Sequence, residues 1–279
     1  MKIISIADLH YGEPHKDILR NIFKSHTVLE DLEKLFIQLQ NEKEKTDLVI
    51  FLGDQIYRKT KEKDTKHIQE LKDLLKKYNL NSILLIGNHE IYNFTKEEII
   101  NLYDLENNYF EKIIDNNQLI FLDVINQIVL NQEQKENLEK SQNKKVQYDY
   151  TINIDKKQIS WLKQKLKQSK NYKSTLIFSH APLNYFDISK TPWFKGWKDK
   201  INIAEHKQVL EILKKQNKRI YCFNGHVHKN KQTQDENIKL ISLDAFSRFL
   251  EESKNCFIKP QYLEININDE VDFKYKEVK

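Results

Sequence analysis

Short apolar runs recur along the chain, and each stops abruptly at polar residues. The main ones are IISIA at 3–7, LVIFL at 48–52, ILLI at 83–86, TLIF at 175–178 and IYCF at 220–223. Continuous runs of this length, bounded by turn residues, read as strands buried on both faces. Weaker strand patterns lie at 119–122, 146–152, 238–243, 261–267 and 271–275. Between the strands the apolar spacing turns helical. Residues 16–45 carry Ile18, Leu19, Ile22, Leu29, Leu32, Leu35, Phe36 and Leu39 at such spacing. Further helices are predicted at 62–78, 96–104, 155–168 and 203–216. Thr95 is placed to cap the third, with Glu97 and Glu98 in its first turn. The fourth should bury Ile159, Trp161, Leu162 and Leu166. Strand and helix alternate, so the fold class is α/β.

Residues 131–145 are almost wholly polar and read as a solvated loop or an exposed helix. No repeat and no linker rich in Gly, Pro or Ser breaks the pattern. The simplest reading is one domain over 1–279, with the aromatic segment 182–202 as a cap.

With 279 residues, 39% of them apolar, the chain can bury a substantial core. The net charge of +5 suits a phosphate-bearing substrate. The Lys are scattered among Glu rather than massed, so no nucleic-acid surface is indicated. Cys222 and Cys256 make no disulfide framework, and Cys222 sits in an apolar strand pattern. The opening apolar run is too short, and too soon followed by Asp8, to read as a signal peptide, and no stretch approaches a membrane span. These features predict a reducing, cytoplasmic setting.

The chemistry sits at the strand ends. The five runs are followed by Asp8-Leu9-His10, Gly53-Asp54, Gly87-Asn88-His89-Glu90, Ser179-His180 and Gly225-His226-Val227-His228. An α/β sheet gathers side chains from strand C-terminal ends into one crevice. Asp-x-His offers a carboxylate and an imidazole together. Asp54 has two oxygens with which to bridge two cations, and Asn88 adds a neutral oxygen. In an extended chain His226 and His228 point the same way. Oxygen and imidazole donors together suit divalent transition metals.

In order and residue type these segments resemble the motifs of the calcineurin-like metallophosphoesterases: D-x-H, G-D, G-N-H-[DE], H and G-H-x-H. The resemblance spans residues 8–228. It implies a four-layer α/β/β/α sandwich, two mixed β-sheets flanked by helices, with two metals between the sheet ends. By matching position, it implies Asp8, His10, Asp54 and His228 on one metal. Asp54, Asn88, His180 and His226 would hold the other, with Asp54 bridging. His89 matches the family's catalytic histidine. Separately, Asp8 is expected to orient His89 and favour its charged form. The implied reaction is phosphoester hydrolysis by a metal-bridging hydroxide. The chain departs from the family at Gln55-Ile56-Tyr57, where many members carry a further Asp, Asn or His.

The stretch Gly87–Phe94, together with the Ser160-Trp161-Leu162 helix, is similar to the manganese-dependent ADP-ribose/CDP-alcohol diphosphatase branch. That branch has Gln where this chain has His10; cyclic-nucleotide phosphodiesterase relatives have the His. The implied substrate is a small nucleotide-like phosphodiester or pyrophosphate. A DNA or RNA nuclease is the main alternative. A phosphoprotein phosphatase fits less well, because Tyr57-Arg58-Lys59 stands where its Asp-Arg-Gly would be. A non-catalytic metal-binding scaffold is the alternative of another class. Mn²⁺ is the first expectation for the metals, with Fe and Zn behind it. For substrate contacts the expected residues are Arg58, Tyr92, Tyr185, Trp193 and Trp197, whose rings suit stacking on a base. His15, His26, His67 and His206 are read as non-catalytic.

Overall fold

The computed structural model describes residues 1–13, 15–16, 22–23, 25–142, 148–185, 187, 200–247, 250–251, 256–257 and 259–279. Two large sheets face each other. The first has five strands in the order Val271–Glu277, Gln261–Ile267, Lys2–Ile6, Leu48–Phe51, Ser82–Leu84. The second has six, in the order Lys231–Asp235, Ile238–Ser242, Ile220–Asn224, Ser174–Ser179, Asn117–Leu122, Phe110–Ile114. The first sheet pairs in parallel from Lys2–Ile6 to its edge at Ser82–Leu84 and antiparallel on the other side, and the second is parallel at its centre and antiparallel at both edges, so both sheets are mixed.

Strand periodicity explains the layers. Alternate residues point to opposite faces. Ile3, Leu48, Ile50, Leu119, Phe121, Leu176, Phe178 and Phe223 form one cluster, the layer between the sheets. Within it Phe110, Phe121, Phe178 and Phe223 stack in a row across four strands, with centroids 4.7, 5.4 and 5.2 Å apart. The intervening residues, among them Ile4, Val49, Phe51, Ile120, Ile177 and Cys222, pack with helix residues such as Leu35, Phe36, Leu71, Leu162, Val209 and Leu213. Helices therefore cover the outer faces, and the predicted sandwich of two mixed sheets between helices is the fold observed.

The helices observed are Val28–Gln40, Lys61–Lys77, Asn88–Ile91, Lys96–Leu102, Gln132–Gln142, Lys156–Lys167 and His206–Lys214. Thr95 caps its helix as predicted, accepting from Glu98 N while Glu98 reaches back to Thr95 N. The helix expected over 16–45 is shorter. It spans Val28–Gln40, and His15–Lys16 pairs instead with Ile22–Phe23 as a small antiparallel ladder. Trp161 is half-buried rather than buried, packed edge-on to Tyr109 at 5.0 Å. The polar segment at 131–145 holds the helix Gln132–Gln142, whose residues 132–137 are mostly exposed. Besides short two-residue pairs, the strands Phe110–Ile114, Ile125–Val129 and Lys231–Asp235 went unpredicted. Among the described residues, no helix is long and apolar enough to cross a membrane.

Candidate metal centre

The two sheets carry their apolar runs to a common end, where the five polar segments meet. Pairing extends beyond the strands: His10 N donates to Asp54 O at 2.9 Å and Tyr11 N to Gln55 O at 2.9 Å. The loops after the first two strands thus travel together. Their backbone is unusual. Asp8, His10, Asp54, His226 and His228 all have φ between +46° and +68°, a region that non-glycine residues rarely enter and that clusters at functional sites.

The glycines of these segments leave room for ligand atoms. A Cβ at Gly53 would stand 2.4 Å from His180 Nδ1, one at Gly87 2.2 Å from Asp54 Oδ1, and one at Gly225 2.5 Å from Asp8 Oδ2. Any side chain at these positions would displace a candidate ligand.

Donor atoms converge in three overlapping groups: Asp8, His10 and His228; His10, Asp54 and His89; Asp54, His180 and His226. Within each, the ligand atoms lie within 4.8 Å of one another. Asn88 joins the last group, its Oδ1 3.0 Å from His180 Nε2. All seven predicted metal ligands are thereby brought together. Asp8, His10, Asp54, Asn88, His180 and His226 are buried, and His228 is half-buried.

Ring tautomers decide what this cluster can hold. His180 Nδ1 donates to Leu52 O at 2.7 Å, so its Nε2 carries a lone pair. His226 Nε2 donates to Lys200 O at 2.8 Å, so its Nδ1 carries one too. These two lone pairs face each other at 3.1 Å, with the Asn88 oxygen beside them. On the other side His10 Nε2 and His228 Nε2 lie 3.0 Å apart. Asp8 Oδ1 is buried with no hydrogen-bond partner among the described residues, 3.7 Å from His228 Nε2. Converging acceptors repel unless a cation sits among them, so the donor set fits divalent metals.

The electrostatics agree. Burial and the nearby Asp8 push the Asp54 carboxyl well above the ordinary carboxylate range. Burial works on Asp8 too, but His228, His180 and His10 around it hold it below that range. Burial drives His180 down, and drives His226 to about 3, so both stay neutral and able to ligate. Two carboxylates this close share charge poorly unless a cation bridges them.

His89 lies at the edge of the cluster, half-buried. Its backbone N donates to Asp54 Oδ1 at 2.8 Å, and its Nε2 is 3.9 Å from Asp54 Oδ2. Its ring packs against His10 at 4.4 Å and near Tyr57 at 5.7 Å. Asp8 bonds instead toward the last histidines, its Oδ2 accepting from His226 N at 2.8 Å. The carboxylate beside His89 is therefore Asp54.

The predicted substrate contacts fare unevenly. Tyr92 is 2% exposed, edge-on to His89 at 6.4 Å, with the Arg58 guanidinium 3.7 Å above its ring. Lys59 pairs with Glu13 at 3.2 Å on the surface. Tyr185 is exposed and faces His206, 6.0 Å between centroids. Trp193 and Trp197 lie outside the described residues, as does most of the cap segment at 182–202.

Two residues escaped sequence reasoning. Glu90 is buried, and its carboxylate accepts from Gly87 N at 2.8 Å, Gln55 N at 2.7 Å and Asp54 N at 3.2 Å. It ties the second and third motifs into one unit. Its place in the G-N-H-E segment was the available signal. Lys200, whose carbonyl orients His226, had none, because it belongs to no motif.

No curated protein matches the chain. Among solved structures it is similar to a dimetal phosphatase from Danio rerio, at 16% identity and a TM-score of 0.66, covering 100% of this chain and 99% of that one. It is also similar to GAP50, the anchor in the inner membrane complex of Plasmodium, at 12% identity and a TM-score of 0.54, covering 100% and 85%. Identities this low speak to the fold. The sequence profile of the calcineurin-like phosphoesterases, however, matches residues 1–230, which include every motif described above, and the chain belongs to that family.

Proposed function

We propose that the protein hydrolyses small nucleotide-type phosphodiesters or pyrophosphates with two divalent cations bound. The observation that carries this reading is the convergence of lone pairs from His180, His226 and Asn88, beside Asp54, on one point. Asp8, His10, Asp54 and His228 are assigned to one cation, and Asp54, Asn88, His180 and His226 to the other. Carboxylate and amide oxygens beside imidazoles favour Mn²⁺. When bound, such a pair activates water as a nucleophile and neutralises phosphoryl charge.

The chain's own residues do the rest. His89 protonates the leaving oxygen, its place set by the bond from its backbone N to Asp54. Tyr57 and Tyr92 flank its ring. Glu90 holds the Asp54 loop against the Gly87 turn. A cytoplasmic setting belongs to this reading, supported by the free, buried thiol of Cys222.

Fold alone does not choose a substrate, and the likeness to an anchor protein keeps a non-catalytic role as the rival. The deciding experiment incubates Mn²⁺-loaded protein with ADP-ribose, CDP-choline, cyclic AMP, single-stranded DNA and a phosphopeptide, with products identified by mass spectrometry. Cleavage of the small nucleotides alone, lost in Asp54→Asn and His89→Ala, is the expected result. Cleavage of DNA alone would make the protein a nuclease. Metal binding without turnover would favour the anchor.

A further inference from the structure

One cation beside the centre is held in a way that ordinary packing does not require. Arg58 lies four residues after Asp54, in a loop whose Tyr57 ring packs toward His10 and His89. Its guanidinium carbon lies over Tyr92, 3.7 Å from the ring centroid, and Tyr92 in turn meets His89 edge-on. The path from Arg58 to the reacting group is thus one aromatic ring long.

The platform beneath Arg58 is rigid. Tyr92 meets Tyr150 edge-on, 5.7 Å away at 85°. Tyr150 carries Lys200 over its ring at 4.3 Å, and Lys200 pairs with Asp149 at 2.7 Å. The backbone of Arg58 is also in the left-handed region, at φ +43°. Outside the metal segments, that conformation falls at Asn79, Asp104, Asp115 and Asn116, which tolerate it, and at Glu236 in a hairpin turn. An arginine gains nothing locally from it. Such strain is the kind found where a side chain must be aimed.

We propose that Arg58 is a specificity-determining residue, which binds a second phosphate of the substrate, the one that is not attacked. Stacking engages the flat face of a guanidinium, while its planar fork grips phosphate oxygens edge-on. Its contact with Tyr92, which meets His89 edge-on, places the guanidinium one ring away from His89. Substrates with two phosphates should therefore be preferred over esters with one. This rests on the phosphoester-hydrolase reading, and a binding arm separates the failure of either.

The test compares wild type, Arg58→Ala and Arg58→Lys, all Mn²⁺-loaded and checked for equal metal content. With ADP-ribose, Arg58→Ala should lose about 10- to 100-fold in kcat/KM, mostly through KM. With bis(p-nitrophenyl) phosphate, which has no second phosphate, it should stay within about twofold of wild type. Arg58→Lys keeps the charge but loses the planar fork, and should recover only part of the loss. Equal losses on both substrates, or none on either, would overturn the proposal. If wild type cleaves neither ester, the hydrolase reading fails, and calorimetric binding of methylenediphosphonate decides. Binding at least tenfold weaker in Arg58→Ala would keep the subsite; equal binding would remove it.

Discussion

Asp8 and His226 belong to different sheets, yet the Asp8 carboxylate accepts the His226 backbone N–H at 2.8 Å. The same bond that orients a candidate ligand also holds the sheet ends together. Asp8→Ala should therefore fail twice. It should abolish binding of one metal, and it should destabilise the metal-free protein by about 1–3 kcal/mol, because a buried donor loses its partner. Metal analysis and urea midpoints after EDTA treatment measure the two effects. An unchanged midpoint would mean that the bond contributes nothing to the junction of the sheets.

Glu90→Gln keeps the size of the side chain but turns one acceptor into a donor facing backbone N–H groups. We expect metal affinity to fall about 10- to 100-fold, the cost typical of losing an outer support of metal ligands. Mn²⁺ titration followed by electron paramagnetic resonance gives the answer. Wild-type affinity in a folded variant would show that Asp54 needs no help from Glu90.

His89→Ala should leave metal content intact and lower kcat by about 10²–10⁴ on alkoxide leaving groups. With p-nitrophenolate, which needs no proton to depart, the loss should be clearly smaller. Equal losses on both would show that His89 acts on bound phosphate charge rather than as the acid.

His180 and His226 should each make the metal-free protein less stable on acidification. Burial lowers His180, and lowers His226 to about 3, whereas unfolded imidazoles titrate near about 6.5. Between those values the unfolded chain binds more protons at these two positions, so their contribution is full above about pH 6.5 and falls as pH drops toward 3. His228, Asp54, Glu90 and Asp244 run the other way, because each is raised in the folded protein, so the contribution of His226 is read as a difference between variants. The urea midpoint of EDTA-treated wild type minus that of His226→Asn should be lower at pH 5 than at pH 7.5. A difference that stays level or rises on acidification would contradict this.

The parallel strands were legible because burial on both faces leaves continuous apolar runs, such as Leu48–Phe51 and Ile220–Asn224. Lys231–Asp235 was not, because an edge strand with mostly exposed residues carries no apolar pattern at all. Phe110–Ile114, at the other edge of the same sheet, fails for a similar reason. The early helix was overdrawn because Ile18, Leu19 and Ile22 extend the helical spacing of Leu32–Leu39 without interruption. The five segments that carry the seven candidate ligands could be read because each stops an apolar run. The partner of His89 could not, since local spacing does not say whether Asp8 or Asp54 turns toward it. The support from Glu90 reaches backbone donors 34 to 36 residues away, beyond any local pattern.

The left-handed backbone at Asp8, His10, Asp54, His226 and His228 has a consequence for how metal would arrive. Those torsions are set by strand pairing, by Glu90 and by glycines with no room for a side chain, all independent of any ion. The work of gathering the ligands is done when the chain folds. An incoming cation would meet a finished socket and would not have to draw loops together. Capture should then be quick, with little backbone movement between the empty and loaded protein. Selectivity among metals would rest on the donor atoms alone, because the socket does not reshape itself to suit a visitor.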